Sequence, residues 1–177
     1  MSNNVRNSWG FSLFCDDIRA EVGGKLTVVG IYQQDMIFQP PATFPITLPK
    51  FCILIKYYEL QGVLTEDMTL NVFLPGDPRN EPTIKIPIPR AGFADIVLPY
   101  ALDEDQERVF NVNYPLVISP FQIKQEGFLK VRAICGAVTT NLGSMMVRMV
   151  RPNELIQTIV MAPAPSDQPP PLDPGVP

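Results

Sequence analysis

Apolar and polar residues alternate with a period of two along most of the chain. The clearest run follows Gly127, where Lys130 and Arg132 alternate with apolar positions. A similar run covers residues 145–149, and turn-forming residues at 140–143 separate the two. Alternation of this kind is typical of strands with one buried face, so the pair predicts a β-hairpin. Its inward set is Leu129, Val131, Ala133, Cys135, Met145, Val147 and Met149.

Other segments differ in which faces are apolar. Residues 51–58 are apolar on both faces, which predicts a strand in the interior of a sheet. Residues 83–88 contain Pro87, which has no N–H to donate to a β-ladder, so this segment predicts an edge strand. The remaining strand-like runs lie at 11–15, 26–32, 70–74, 93–98 and 109–118, the last interrupted at Pro115. Residues 153–161 fit either a short helix or a last strand.

About eight strands without a sustained 3.6-residue period predict an all-β fold. We expect an antiparallel two-sheet sandwich, immunoglobulin-like or C2-like, over residues 1–161; a closed barrel is the alternative. Residues 162–177 include seven prolines in sixteen positions, so we expect a disordered tail there. The tail is either simply solvated or a ligand for an aromatic groove on a partner. The candidate motif is Pro169, Pro170, Pro171 and Leu172.

The charge balance narrows the classes of partner. The net charge of −4 argues against nucleic acid, whose binders concentrate cations on one face. A mild C-terminal enrichment in basic residues is interpreted as solvated strand faces rather than a phosphate site. No apolar run reaches 18 residues and no signal-peptide pattern is seen, so we expect no membrane span and a cytoplasmic location. The basic residues concerned are Lys124, Lys130, Arg132, Arg148 and Arg151.

The inventory of reactive side chains is small. The chain contains no histidine, which removes the Ser-His-Asp and Cys-His systems and the histidine-bearing zinc sites. The cysteines Cys15, Cys52 and Cys135 are far apart in sequence, which predicts small buried hydrophobes in a reducing compartment. We therefore predict a protein that is not an enzyme and binds no cofactor.

Two acidic clusters leave alternatives open. The first, between the first two predicted strands, is either an ion-paired loop or a site for a metal or a partner. The second is an acidic loop, and calcium would require the two clusters to converge through Asp16, Asp17, Asp103 and Asp105. A hydrolase would pair Asp16 or Asp17 with Glu21 or Asp105. The first cluster consists of Asp16, Asp17, Arg19, Glu21 and Lys25.

Residues 14–32 read FCDDIRAEVGGKLTVVGIY, and Leu48-Pro49-Lys50 follows. This segment resembles a bacterial family of uncharacterised small all-β proteins with the signature F-C-D-D-[IV]-R-x-E-x-x-G-K-x-x-x-x-G-x-Y. The resemblance implies an all-β domain and no particular activity. It also implies that the first acidic cluster matters, either as a network that defines the fold or as a site.

Three functions are compatible with these patterns. The first is a non-catalytic binding or structural module that meets a protein partner or a second copy through a sheet surface, a sheet edge or the tail. The second is a calcium- or lipid-dependent module like a C2 domain. The third is a hydrolase that uses two carboxylates.

Overall fold

The computed structural model describes residues 8–60, 66–89 and 109–151, and these residues form strands without any helix. The all-β prediction is confirmed. The described residues contain eleven strands. They are β1 (Ser8–Ala20), β2 (Leu26–Ile31), β3 (Asp35–Phe38), β4 (Ile46–Leu48), β5 (Phe51–Leu60), β6 (Met68–Phe73), β7 (Ile84–Ile88), β8 (Val109–Ile118), β9 (Phe121–Ile123), β10 (Gly127–Cys135) and β11 (Val138–Met149).

The strands form three sheets with the orders β2-β1-β5-β8, β3-β11-β10-β6-β7 and β4-β9. Neighbours pair antiparallel except β3 and β11, which run parallel, so the expectation of wholly antiparallel pairing is wrong for that pair. The expected number of about eight strands is also too low. The additional strands β3, β4 and β9 have only three or four residues each, too few for a recognisable alternation.

The strand placements follow the sequence patterns where those patterns are long. The strand β5 lies between β1 and β8, as its two apolar faces predicted. Pro87 lies in β7, at the edge of the described five-stranded sheet, also as predicted. The strand β8 continues through Pro115, where an interruption was expected. Because β8 is at the edge of the described four-stranded sheet, the proline nitrogen can face away from the β5 ladder without a lost bond.

One hydrophobic core receives side chains from both larger sheets. The inward face of β5 supplies Phe51, whose ring stacks on Phe121 at a centroid distance of 4.5 Å. The inward residues predicted for β10 and β11 are buried, apart from Met149, which is partly exposed. We call the side of each sheet toward this core its inner face and the opposite side its outer face. The other core residues include Phe14, Ile53, Ile55, Tyr57, Leu70, Val72, Leu129, Val131, Leu142, Met145 and Val147.

The turn of the last hairpin is displaced from its predicted place. The strands β10 and β11 are joined at Gly136-Ala137, and Gly136 has a φ of +53° that suits a tight two-residue connection. Residues 140–143, predicted as the turn, lie inside β11. The pairing between β10 and β11 shifts by one residue at this point: Val131 pairs with Gly143, but the next residue, Arg132, pairs with Asn141. This β-bulge leaves Leu142 as the extra residue, and its side chain is buried in the core.

Several predictions concern residues outside the described ranges. These are the strand at 93–98, the acidic residues Asp103 and Asp105, the alternatives for 153–161 and the tail 162–177 with its motif at 169–172. The domain boundary at 161 lies there too. Among the described residues, no helix has the length and apolarity needed to cross a bilayer.

Candidate functional site

Asp16, Asp17 and Arg19 of the first acidic cluster lie in a strand and not in the expected loop, whereas Glu21 and Lys25 lie in the connection. The strand β1 continues to Ala20 and β2 begins at Leu26, so Asp16 and Asp17 belong to the strand. Successive side chains in a strand point to opposite faces of the sheet. Asp16 consequently lies on the inner face and Asp17 on the outer face, where it pairs with Val29.

Asp16 connects the hairpin to the core. Its Oδ1 accepts a hydrogen bond of 2.7 Å from the Tyr32 hydroxyl, and the Tyr32 ring packs on Phe51 with centroids 6.0 Å apart. Burial and the Asp16 carboxylate both raise the pKa of the Tyr32 phenol. Opposite Asp16 lies Gly30 with a φ of +68°, and a Cβ there would overlap the Asp16 carboxylate. The glycine therefore provides the space in which Asp16 reaches Tyr32.

Asp17 forms a separate ion network on the other face. Its Oδ1 accepts from Lys50 Nζ at 2.6 Å and its Oδ2 from Arg19 Nε at 2.8 Å. The hydrogen bonds from Lys50, and then from Arg19, lower the Asp17 pKa to about 2. Glu21 and Lys25 meet through the backbone, where Glu21 N donates to Lys25 O at 2.8 Å. The five cluster residues thus lie on one hairpin but do not converge on one point.

No group of three or more metal-binding side chains occurs within residues 8–60, 66–89 and 109–151. Asp16 and Asp17 face opposite sides and have different partners. The remaining candidates for calcium, Asp103 and Asp105, lie outside the described residues. The hairpin geometry agrees with a network that defines the fold.

We expect the contribution of Asp17 to stability to vanish in acid. Its pKa in the folded protein is about 2, below the ordinary aspartate value, so the ionised form is favoured by folding. The contribution is present above the unfolded-state pKa near 4 and is lost as the pH falls through the folded-state pKa. Urea unfolding of the wild type and of Asp17→Asn should differ at pH 7 and converge between about pH 4 and pH 2. A difference that persists unchanged at pH 2 would contradict this account.

The outer face of the four-stranded sheet is apolar over much of its area. We define the apolar face as Trp9, Phe11, Leu13, Ile31, Leu54 and Val117. Directly opposed pairs place these side chains together: Leu13 faces Leu54, and Trp9 faces Tyr58 with stacked rings 5.8 Å apart. Four of the six side chains remain 40–52% exposed, namely Trp9, Phe11, Ile31 and Val117.

A signal for this face was present in the sequence. Residues 51–58 are apolar on both sides, which correctly predicted an interior strand but also requires an apolar outer face. Phe11, Leu13 and Cys15 form one alternating set and belong to this outer face, whereas Phe14 from the other set enters the core. The sequence alone does not show which set is inward, because both contain large apolar residues.

All three cysteines are buried, which confirms their predicted burial. Cys15 and Cys52 are directly opposed on β1 and β5, and Cys15 Sγ lies 3.7 Å from Cys52 O. Burial is the main cause that raises the Cys15 pKa to about 11. A thiol of that pKa is almost wholly protonated at neutral pH and therefore weakly nucleophilic.

The motif that carried the family resemblance has an identifiable structural basis in this chain. Asp16, Gly30 and Tyr32 form one contact group, and Asp17, Arg19 and Lys50 form another. Comparison with family models, with curated proteins and with solved structures finds no match to this chain. The family resemblance therefore stays a prediction.

Proposed function

We propose that this protein is a non-catalytic binding module that associates with a second copy of itself through the apolar face. One observation carries the proposal: Trp9, Phe11, Ile31 and Val117 remain largely exposed on a single sheet surface. Contiguous apolar surface of this kind is uncommon on monomers and typical of association sites. The aromatic pair Trp9 and Tyr58 is of the type that is enriched in interface centres.

The dimensions of the sheet suit a dimer. Four strands about 4.8 Å apart, with the ten residues of β5 rising about 3.3 Å each, span roughly 600 Å² in projection. A typical interface buries about 800 Å² of accessible surface on each partner. The full sheet face, with side chains extending from it, therefore offers the area that a stable dimer needs.

The chemistry of the face favours a second copy over a charged partner. In a two-fold dimer the same surface of each copy meets the other. Two surfaces with charge of one sign would repel each other, whereas two apolar surfaces can pack together. Lys56 is the cation in the middle of this surface, next to Phe11 and Asn113. Its aliphatic stem can lie along the apolar face while its ammonium group reaches the rim. Asp17 is already neutralised by Arg19 and Lys50.

The proposal includes a two-layer β-sandwich and a cytoplasmic location. A single core that draws on β5 from one sheet and on β6, β10 and β11 from another supports the sandwich. The buried thiols support a reducing compartment, since Cys15 and Cys52 are directly opposed and unpaired. The absence of histidine and the structural partners of Asp16 and Asp17 support a non-catalytic role.

Sedimentation equilibrium of the full chain tests self-association. We expect the wild type to show twice the chain mass at micromolar concentrations. Val117→Glu should restore the monomer, because residue 117 faces Cys52 across the ladder and a two-fold interface would then bury two carboxylates without partners. We expect the dissociation constant to rise by at least about a hundredfold, since an unpaired buried charge costs several kcal/mol.

The matched control is Ile37→Glu, a similarly exposed apolar residue on β3 in the other large sheet. This variant should keep the mass of the wild type. A wild type that stays monomeric at 100 μM, or a dimer that both variants weaken equally, would contradict the proposed interface. Circular dichroism confirms that each variant remains folded.

A further inference from the structure

A basic groove lies on the outer face of the five-stranded sheet, on the opposite side of the core from the apolar face. It consists of two adjoining cavities of about 600 and 440 Å³. The two share Phe73, Arg79 and Arg132, so they form one continuous depression. We define the basic groove by Asn71, Phe73, Arg79, Lys85, Lys130 and Arg132.

The floor of the groove is set by strand pairing. Asn71 on β6 faces Arg132 on β10 and Lys85 on β7. Arg132 in turn faces Asn141 on β11. Directly opposed residues share a face of the sheet, so a row of two amides and two cations crosses four strands. The Arg132 guanidinium lies over the Phe73 ring, 5.0 Å from its centroid, which fixes its position.

A structured loop forms the wall. The connection between β6 and β7 turns at Asp77, whose carboxylate accepts bonds from Leu74 N, Thr83 N and Thr83 Oγ1, each at 2.8–2.9 Å. Asp77 thereby closes the loop and places Arg79 at the groove. The carboxylate is held by these backbone and hydroxyl donors and forms no ion pair with the groove's cations among the described residues.

Asn71 points to a ligand independently of the cations. The residue is only 5% exposed and lines the larger cavity, and its Oδ1 has no hydrogen-bond partner among the described residues. A buried acceptor without a donor costs on the order of 1–3 kcal/mol, so such groups are uncommon in folded proteins. Because the Asn71 side chain lines the cavity, a turn of its amide would bring this buried oxygen within reach of a ligand that donates a hydrogen bond.

The charge of the groove contrasts with that of the whole chain. Arg79, Lys85, Lys130 and Arg132 lie together although the net charge is −4. In the described part of the chain none of the four forms an ion pair with a carboxylate. The planar guanidinium groups of Arg79 and Arg132 match the geometry of phosphate oxygens. Lys130 and Arg132 were interpreted from the sequence as belonging to solvated strand faces; they lie on the outer face of the sheet and line one cavity together with Arg79.

We propose that the basic groove binds a small phosphorylated sugar. The phosphate would contact Arg79, Lys85 and Arg132, and a sugar hydroxyl would donate to Asn71 Oδ1. Side chains that can both donate to and accept from further hydroxyls line the same cavity. The volume lies within the range of small-molecule sites. These further side chains are Thr69, Asn80, Thr139 and Asn141.

Isothermal titration calorimetry of the full chain in a phosphate-free buffer tests the proposal. The probes are glucose 6-phosphate, ribose 5-phosphate, glucose, inorganic phosphate and an oligothymidylate of eight nucleotides. We expect at least one sugar phosphate to bind about tenfold or more tightly than inorganic phosphate, and glucose not to bind measurably. Affinity should fall as salt is raised, because the cations are partly solvated.

Two variants separate the roles within the groove. Asn71→Leu removes the unpartnered oxygen, so sugar phosphate and inorganic phosphate should bind equally weakly, while the melting temperature holds or rises. Arg132→Gln should weaken both phosphates by about tenfold. The control Lys25→Ala removes an exposed cation in the β1–β2 turn and should change neither affinity.

Several results would overturn the proposal. The first is that no sugar phosphate binds at millimolar concentration. The second is that inorganic phosphate binds as tightly as both sugar phosphates, which would leave only a general anion site. The third is that the oligothymidylate binds more tightly than either sugar phosphate, which would indicate a single-stranded nucleic acid surface. Equal effects of Asn71→Leu and Lys25→Ala would also contradict the assigned contact.

Discussion

Replacing Phe51 with alanine is expected to lower the free energy of unfolding by about 3–5 kcal/mol. Phe51 is fully buried, and its ring stacks on Phe121 at 4.5 Å and on Phe14 at 6.4 Å. Truncation removes the transfer free energy of the ring and leaves a cavity that three neighbouring rings cannot fill without leaving their positions. The Tyr32 ring also packs there, so the loss reaches the Asp16 network.

Urea unfolding followed by fluorescence and by circular dichroism measures this loss. The matched control is Phe128→Ala, whose ring is 53% exposed on the outer face of β10. Its truncation should cost less than about 1 kcal/mol, because little apolar surface returns to water. Equal losses at the two positions would show that Phe51 does not occupy the centre of the core. If the slope of the unfolding free energy against urea concentration changed only in Phe51→Ala, the substitution would have altered the unfolded state.

Long regular segments were predictable because their pattern is repeated enough to fix both type and face. The strands β5 and β10 have ten and nine residues, and their environment follows from which positions are apolar. The short strands β3, β4 and β9 contain only one or two alternations each. Their pairing depends on distant strands, such as β11 for β3, and no local pattern contains that information.

Glycine-containing segments were harder to predict for a physical reason. Asn141-Leu142-Gly143 has the composition of a turn, yet it forms a bulge that directs Leu142 into the core. Turns and bulges both accept a glycine at positive φ, such as Gly143 at +144°, so composition does not distinguish them. The charged segment from Asp16 to Arg19 was similarly mistaken for a loop. Its side chains make a solvated salt bridge on one face and a tyrosine hydrogen bond on the other, so the segment lacks the apolar positions by which a strand is recognised.

The two candidate surfaces differ in how far the sequence could predict them. The apolar face follows from the apolarity of both faces of residues 51–58 once the strand is recognised. The basic groove requires the register that places Asn71 beside Arg132 and Lys85. Asn71 and its partner Arg132 are more than 50 residues apart in the sequence, so no local pattern predicts that they pair. That the Asn71 oxygen has no hydrogen-bond partner can be seen only in the structure.

Replacing Gly30 with alanine is expected to lower the free energy of unfolding by about 2–4 kcal/mol. The φ of +68° at Gly30 costs about 1 kcal/mol or more for an alanine. The new Cβ would also overlap the Asp16 carboxylate and displace it from the Tyr32 hydroxyl, 2.7 Å away. Loss of this exposed hydrogen bond adds about 0.5–1.5 kcal/mol. Thermal and urea unfolding both measure the total.

The matched control is Gly24→Ala in the turn of the same hairpin. Gly24 has a φ of +74°, close to that of Gly30, but a Cβ there would meet nothing within 4 Å. Its substitution therefore isolates the backbone strain, and we expect a loss of about 1 kcal/mol. The difference between the two variants measures the steric conflict with Asp16 and the lost contact with Tyr32.

A double-mutant cycle with Asp16→Ala identifies the partner in that conflict. The shortened side chain lacks the two carboxylate atoms nearest to the new Cβ, so Gly30→Ala should cost little more in this background than Gly24→Ala does. An undiminished cost would mean that Gly30 acts through its backbone alone. A diminished cost would mean that Asp16, Gly30 and Tyr32 form one structural unit, whose glycine leaves room for a carboxylate between the hairpin and the core.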